Sequence, residues 1–135
     1  MARTAAVTMR WRDQLVFEGG APGRPSITVD GDSKEATSPV ELLLLSAVTC
    51  TAAGVVLILK KMRVDLTRVE VAVEGTRRDE EPRRYTAIQF HWTIAGAGAD
   101  EIKVHRAIDL SLQKYCSVMA SLAPDIAVGY DVTLA

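Results

Sequence analysis

The chain has 135 residues, 48% hydrophobic and 24% charged, with a formal net charge of -1. That length suits one domain, expected over residues 1–135, and the balanced charge argues against a nucleic-acid or anionic-membrane binder. Two cysteines make no disulfide scaffold, and two histidines without CxxC or HxxxH spacing make no zinc motif, so no metal site is expected.

The start, Met-Ala-Arg-Thr-Ala-Ala, is followed by no apolar run of the kind a signal peptide carries, so a cytoplasmic location is expected. Ala5 to Arg10 has weak strand character, Trp11 to Gln14 reads as a turn, and Leu15 to Phe17 reads as a second short strand. Gly19 to Gly23 is a loop, and Ile27 to Asp30 is strand-like up to Gly31. The N-terminal part is therefore an antiparallel ribbon that leads into a long helix.

That helix starts at Ser38-Pro39-Val40-Glu41. Ser38 can cap, Pro39 suits the first helical position, and Glu41 has the capping-box spacing from Ser38. Charge is absent from Leu42 to Leu59; Lys60, Lys61 and Arg63 then favour the C-terminal end. The run is long enough for a membrane span. Thr49, Cys50, Thr51 and Gly54 dilute its hydrophobicity and the flanks read as soluble strands, so a buried helix is expected and no membrane. A helix apolar on every side needs cover on every side. A chain this short supplies that cover barely, and a second subunit is expected to complete it. Cys50 lies near the middle, with the small residues Ser46, Ala47, Ala53 and Gly54 on its face, so another backbone can approach it closely.

After the helix, Arg68 to Gly75 alternates valines with glutamates, as a half-buried strand does. A charged connection, Arg77 to Arg84, joins it to a second alternating strand from Tyr85 to Ile94. Asp100 opens a helix expected to run to Tyr115, with Ile102, His105 or Arg106, Ile108 or Asp109, and Leu112 inward and Cys116 at its end. Ser117 to Leu122 is a short helix closed by Pro124, and Ile126 to Leu134 a last strand. The class is α+β.

The run Ser38-Pro39-Val40-Glu41-Leu42 leading to Cys50, followed by Asp109-Leu110-Ser111 and Lys114-Tyr115-Cys116-Ser117-Val118, resembles the OsmC/Ohr family, and within it the YhfA-like branch. The resemblance covers the chain from about Trp11 to its end. It implies an OsmC-like fold, with antiparallel sheets around a long central helix in an intertwined homodimer. It also implies a thiol-dependent peroxidase for small organic hydroperoxides, acting in oxidative or osmotic stress defence and needing no cofactor. Cys50 would be the peroxidatic residue and Cys116 the resolving one, their disulfide being reduced by an external dithiol. A non-enzymatic relative is the alternative, one that binds a small apolar molecule at the dimer interface or acts as a redox-responsive module. Either way an apolar pocket lined by residues such as Leu43, Ala47, Ala53 and Met119 is expected.

A mid-helix cysteine gains nothing from its own helix N-terminus, and burial raises its pKa, so a cation is expected to lower it. Arg12 is the first candidate, with Arg10 and Arg24 behind it. Glu41 suits capping better than catalysis: it lies about 13 Å along the helix from Cys50, on roughly the opposite side.

Overall fold

The computed structural model describes residues 2–135; Met1, the first residue of the expected domain, lies outside them. Ten elements follow in chain order: β1 (Thr8–Asp13), β2 (Val16–Gly20), β3 (Ile27–Asp30), α1 (Pro39–Lys61), β4 (Asp65–Arg77), β5 (Tyr85–Ala97), α2 (Glu101–Leu110), a π-helical segment (Ser111–Tyr115), α3 (Ser117–Ala120) and β6 (Ala127–Leu134). The α+β class stands. The chain packs as two compact units, one up to Leu43 and one from Leu44 onward.

In the N-terminal unit, β1, β2 and β3 form an antiparallel meander. Strand β1 runs through Trp11, Arg12 and Asp13, so the expected turn falls later, at Gln14 and Leu15. Gln14 takes a positive φ of 47° there, and the ladder slips between Trp11 and Asp13. Asp30 stops β3 by accepting the backbone N–H groups of Asp32, Lys34 and Glu35 at 2.8, 3.1 and 2.8 Å. Those bonds, Glu35's first, hold its carboxyl below the usual carboxylate range. The start of α1 carries the reciprocal box its sequence announces. Ser38 N donates to Glu41 Oε1 at 2.9 Å, and Glu41 N donates to Ser38 Oγ at 3.2 Å. Ser33 Oγ donates to the same Glu41 oxygen at 2.9 Å. Glu41 is thus a helix cap.

In the second unit, β4 and β5 form a long antiparallel hairpin, with Val69 opposite Ile94, Val71 opposite Trp92 and Val73 opposite Phe90. The sheet is mixed, not wholly antiparallel, because β6 pairs with β5 in parallel. The chain returns through α2, the π-helical segment and α3. A helical crossover of that length brings a strand back in the same direction, which a tight turn cannot do. The core combines Val55 and Leu59 of α1, Ile88, Phe90, Trp92 and Ile94 of β5, and Val104, Ala107 and Ile108 of α2.

Helix α2 matches the expected face in part: Ile108 is wholly buried, and Leu112, just beyond the helix, packs against the core. Val104, Ala107 and Ile108 point inward, while Ile102 is 82% exposed. Asp100 caps it by accepting Lys103 N–H at 2.8 Å, which sets the phase from the cap. Regular α-helix ends at Leu110, five residues short of the expectation, and the chain widens into the π-helical segment.

Candidate functional site

Helix α1 buries the stripe Ala47, Thr51, Val55 and Leu59. Cys50 lies beside that stripe and is half-buried. One turn further on, Gly54 has no side chain to keep its neighbours away. A Cβ there would sit 2.5 Å from Ser111 Oγ. The wholly buried Ser111 uses this space to donate to the Thr51 carbonyl at 2.8 Å, which ties the start of the π-helical segment to α1.

The wide turn closes with Cys116 N–H donating to the Ser111 carbonyl at 2.8 Å, a five-residue step. Cys116 then turns extended, with φ -75° and ψ 102°, and becomes the N-cap of α3. Its sulfur accepts Met119 N–H at 3.4 Å. Helix N-termini leave backbone donors without internal partners, and here sulfur receives them. The Val118 N–H first and the Cys116 thiol second favour the Cys50 thiolate and hold its pKa below the ordinary thiol value; burial opposes them, and Ser117 N–H adds the smallest contribution. Both cysteines are free thiols within hydrogen-bonding reach of each other.

Within the second unit, the groups that lower the Cys50 pKa are amides and a thiol, Val118 N–H first. Arg12 lies in β1, where one guanidinium nitrogen meets Glu18 at 3.5 Å and the other pairs with Glu35. The bond to Glu35 raises its pKa. Arg10 also holds Glu18, at 2.9 Å. Neither histidine stands by a sulfur: His91 bridges Glu74 and Asp131 across the sheet, and His105 meets Tyr130. Among the described residues no cluster of His, Cys, Asp or Glu is placed to hold a metal ion.

A largely apolar groove of about 280 Å³ opens beside Cys50, lined also by Gly54, Leu57, Ile58, Lys61, Ser111 and Tyr115. None of the four expected lining residues belongs to it. Ala47 is wholly buried, Ala53 faces outward, and Met119 lines a separate cavity of about 420 Å³. Leu43 belongs to the N-terminal unit. The groove runs from Cys50 toward the C-terminal end of α1, because Gly54 opens that side. Sequence reasoning also missed Thr51, whose wholly buried hydroxyl lies 3.4 Å from Cys116 Sγ. A hydroxyl in an otherwise apolar helix was the available signal.

The profile of the OsmC-like protein family matches residues 31–131. The chain belongs to the OsmC family. Within it, this OsmC-family chain is 39% identical over 130 residues to Protein YhfA of Escherichia coli (strain K12), a match covering 94% of this chain and 97% of YhfA. A hypothetical protein from Aquifex aeolicus VF5 superposes with a TM-score of 0.86 at 26% identity, covering 99% of each chain. An organic hydroperoxide resistance protein OsmC from Legionella pneumophila superposes with a TM-score of 0.72 at 11% identity, covering 98% of each chain. At that identity the likeness is one of fold.

Proposed function

We propose that this protein is a cytoplasmic thiol-dependent peroxidase that reduces small organic hydroperoxides, in defence against oxidative or osmotic stress. One observation carries the reading. The Cys50 thiol, at the head of an apolar groove, has its pKa held below the ordinary thiol value, by the Val118 N–H first and the thiol of a second cysteine next. Those donors favour the thiolate, which is the nucleophilic form.

The thiolate attacks the terminal oxygen of the hydroperoxide. An S–O bond forms, the O–O bond breaks, and the departing alkoxide takes a proton to become an alcohol. Sulfur loses two electrons and becomes a sulfenic acid. Cys116 sulfur then displaces hydroxide, which leaves as water once protonated, and a disulfide forms. An external dithiol reduces it by two exchange steps. Arg12, engaged by Glu18 and Glu35, completes the set expected from the sequence, but we assign the ionisation of Cys50 to the amides.

The working unit in this proposal is a homodimer. Leu45 and Leu57 are 52% and 62% exposed on α1, with Thr49 and Ala53 open between them. The helix is long and apolar enough to cross a membrane by length and composition. A second copy laid on this stripe removes it from water, as the family resemblance implies.

The test is a thiol count before and after one equivalent of an organic hydroperoxide, with mass spectrometry of the product. Rapid loss of both thiols and an intramolecular Cys50–Cys116 link are expected. Thiols that stay unchanged over hours would remove the enzymatic reading. The apolar lining of the groove would then favour a binder of small apolar molecules.

A further inference from the structure

We propose that Thr51 controls the resolving step by turning its hydroxyl from a helix carbonyl to Cys116 Sγ when that sulfur must act as the nucleophile. The proposal rests on the peroxidase reading and assigns a positioning residue within it.

Thr51 is wholly buried, and its Oγ1 has two acceptors in reach, the Ala47 carbonyl at 2.8 Å and Cys116 Sγ at 3.4 Å. One hydroxyl proton serves one of them fully at a time. The Ala47 carbonyl already accepts the Thr51 N–H that the α-helical pattern supplies, so the hydroxyl is its second donor and is expendable. The Thr51 backbone is pinned from the other side by Ser111 Oγ. Turning about the Cβ–Oγ bond therefore changes the acceptor without moving a heavy atom.

The two halves of the cycle make opposite demands on Cys116. Before oxidation its proton is useful, because the Cys116 thiol favours the Cys50 thiolate and helps to lower its pKa. After oxidation Cys50 carries S–OH and Cys116 must give that proton up. Its thiolate then forms the S–S bond as the S–O bond breaks, and the released hydroxide takes up a proton to leave as water. Cys116 is only 3% exposed, so water is a poor partner for that transient charge. Met119 N–H is one donor within the fold, and the Thr51 hydroxyl is the other.

The experiment follows both steps after mixing with cumene hydroperoxide, trapping sulfenic acid with a dimedone probe. Thr51→Val keeps the shape and removes the donor. Sulfenic acid should form at the wild-type rate, and disulfide closure should slow by about ten-fold, the loss of one hydrogen bond to a charged group. Its pH profile should shift upward by about one unit. Thr51→Ser should restore both. Closure in Thr51→Val at the wild-type rate and pH profile would overturn the proposal. If wild type forms no sulfenic acid, the peroxidase reading fails, and Thr51 is tested separately in a Cys50→Ser background. There the rate of Cys116 alkylation at a fixed pH should fall by about ten-fold once Thr51→Val is added, the loss of one hydrogen bond to the thiolate. Equal rates would refute the role of Thr51.

Discussion

Gly54→Ala sets helix propensity against tertiary packing. In an isolated helix the change stabilises by about 0.5–1 kcal/mol, since alanine loses less backbone freedom. Here the new methyl carbon would meet Ser111 Oγ at 2.5 Å and Ser111 Cβ at 3.2 Å. Turning the hydroxyl away breaks its 2.8 Å bond to the Thr51 carbonyl and leaves a buried group unpaired, at a cost of about 1–3 kcal/mol. Pushing the π-helical segment outward costs a further ~1–3 kcal/mol of overpacking. The net expectation is destabilisation by about 1–5 kcal/mol. With a urea slope of ~2 kcal/mol per molar, the midpoint falls by about 0.5–2.5 M. Trp92, 1% exposed in the core of the same unit, reports the transition by fluorescence. Thiol reactivity should follow, because the same segment carries Cys116 and leads into the amides at Cys50. Alkylation of Cys50 should shift to higher pH. Ser111→Ala added to Gly54→Ala removes the tighter contact and should recover part of the loss. A Gly54→Ala midpoint equal to or above wild type would refute the reasoning, because the helix term would then have gone unopposed.

Two further predictions concern ionisation. Cys116→Ala deletes a donor to the Cys50 thiolate, so the pH midpoint for Cys50 alkylation should rise toward that of an ordinary thiol; an unchanged midpoint would show that the amides alone set it. His91 is raised by Glu74 first and Asp131 second, which it bridges at 2.7 and 2.8 Å across β4, β5 and β6. A raised folded-state pKa gives stability that is full below the unfolded value near ~6.5 and lost as pH climbs through the folded value. Urea midpoints should therefore decline across that window, and His91→Gln should flatten the decline; an identical slope in the variant would remove the bridge as its cause.

The elements of this protein were legible where one face repeats. Alternation in Val69, Val71 and Val73 marked β4, and Ser38 with Glu41 marked the start of α1, because pleat and cap chemistry act over a few residues. Cys50 and Cys116 were singled out through their local contexts and the family resemblance. Helix α2 was read rightly at Ile108 and Leu112 but not in its first turns, where Val104 and Ala107 point inward and the apolar Ile102 is exposed. The activating groups at Cys50 were missed because two of them are backbone amides, which look the same in every sequence.

The sequence by itself determined the α+β order, the capped apolar helix and the small residues around Cys50, since each follows from side-chain chemistry within a few neighbouring positions. Tertiary structure alone decided that β6 returns parallel to β5, that Gly54 admits Ser111, and that the Cys116 sulfur meets the Thr51 hydroxyl, 65 positions away in the chain. Such meetings depend on how distant segments share space, and no local pattern of side chains encodes which backbone N–H will face which atom.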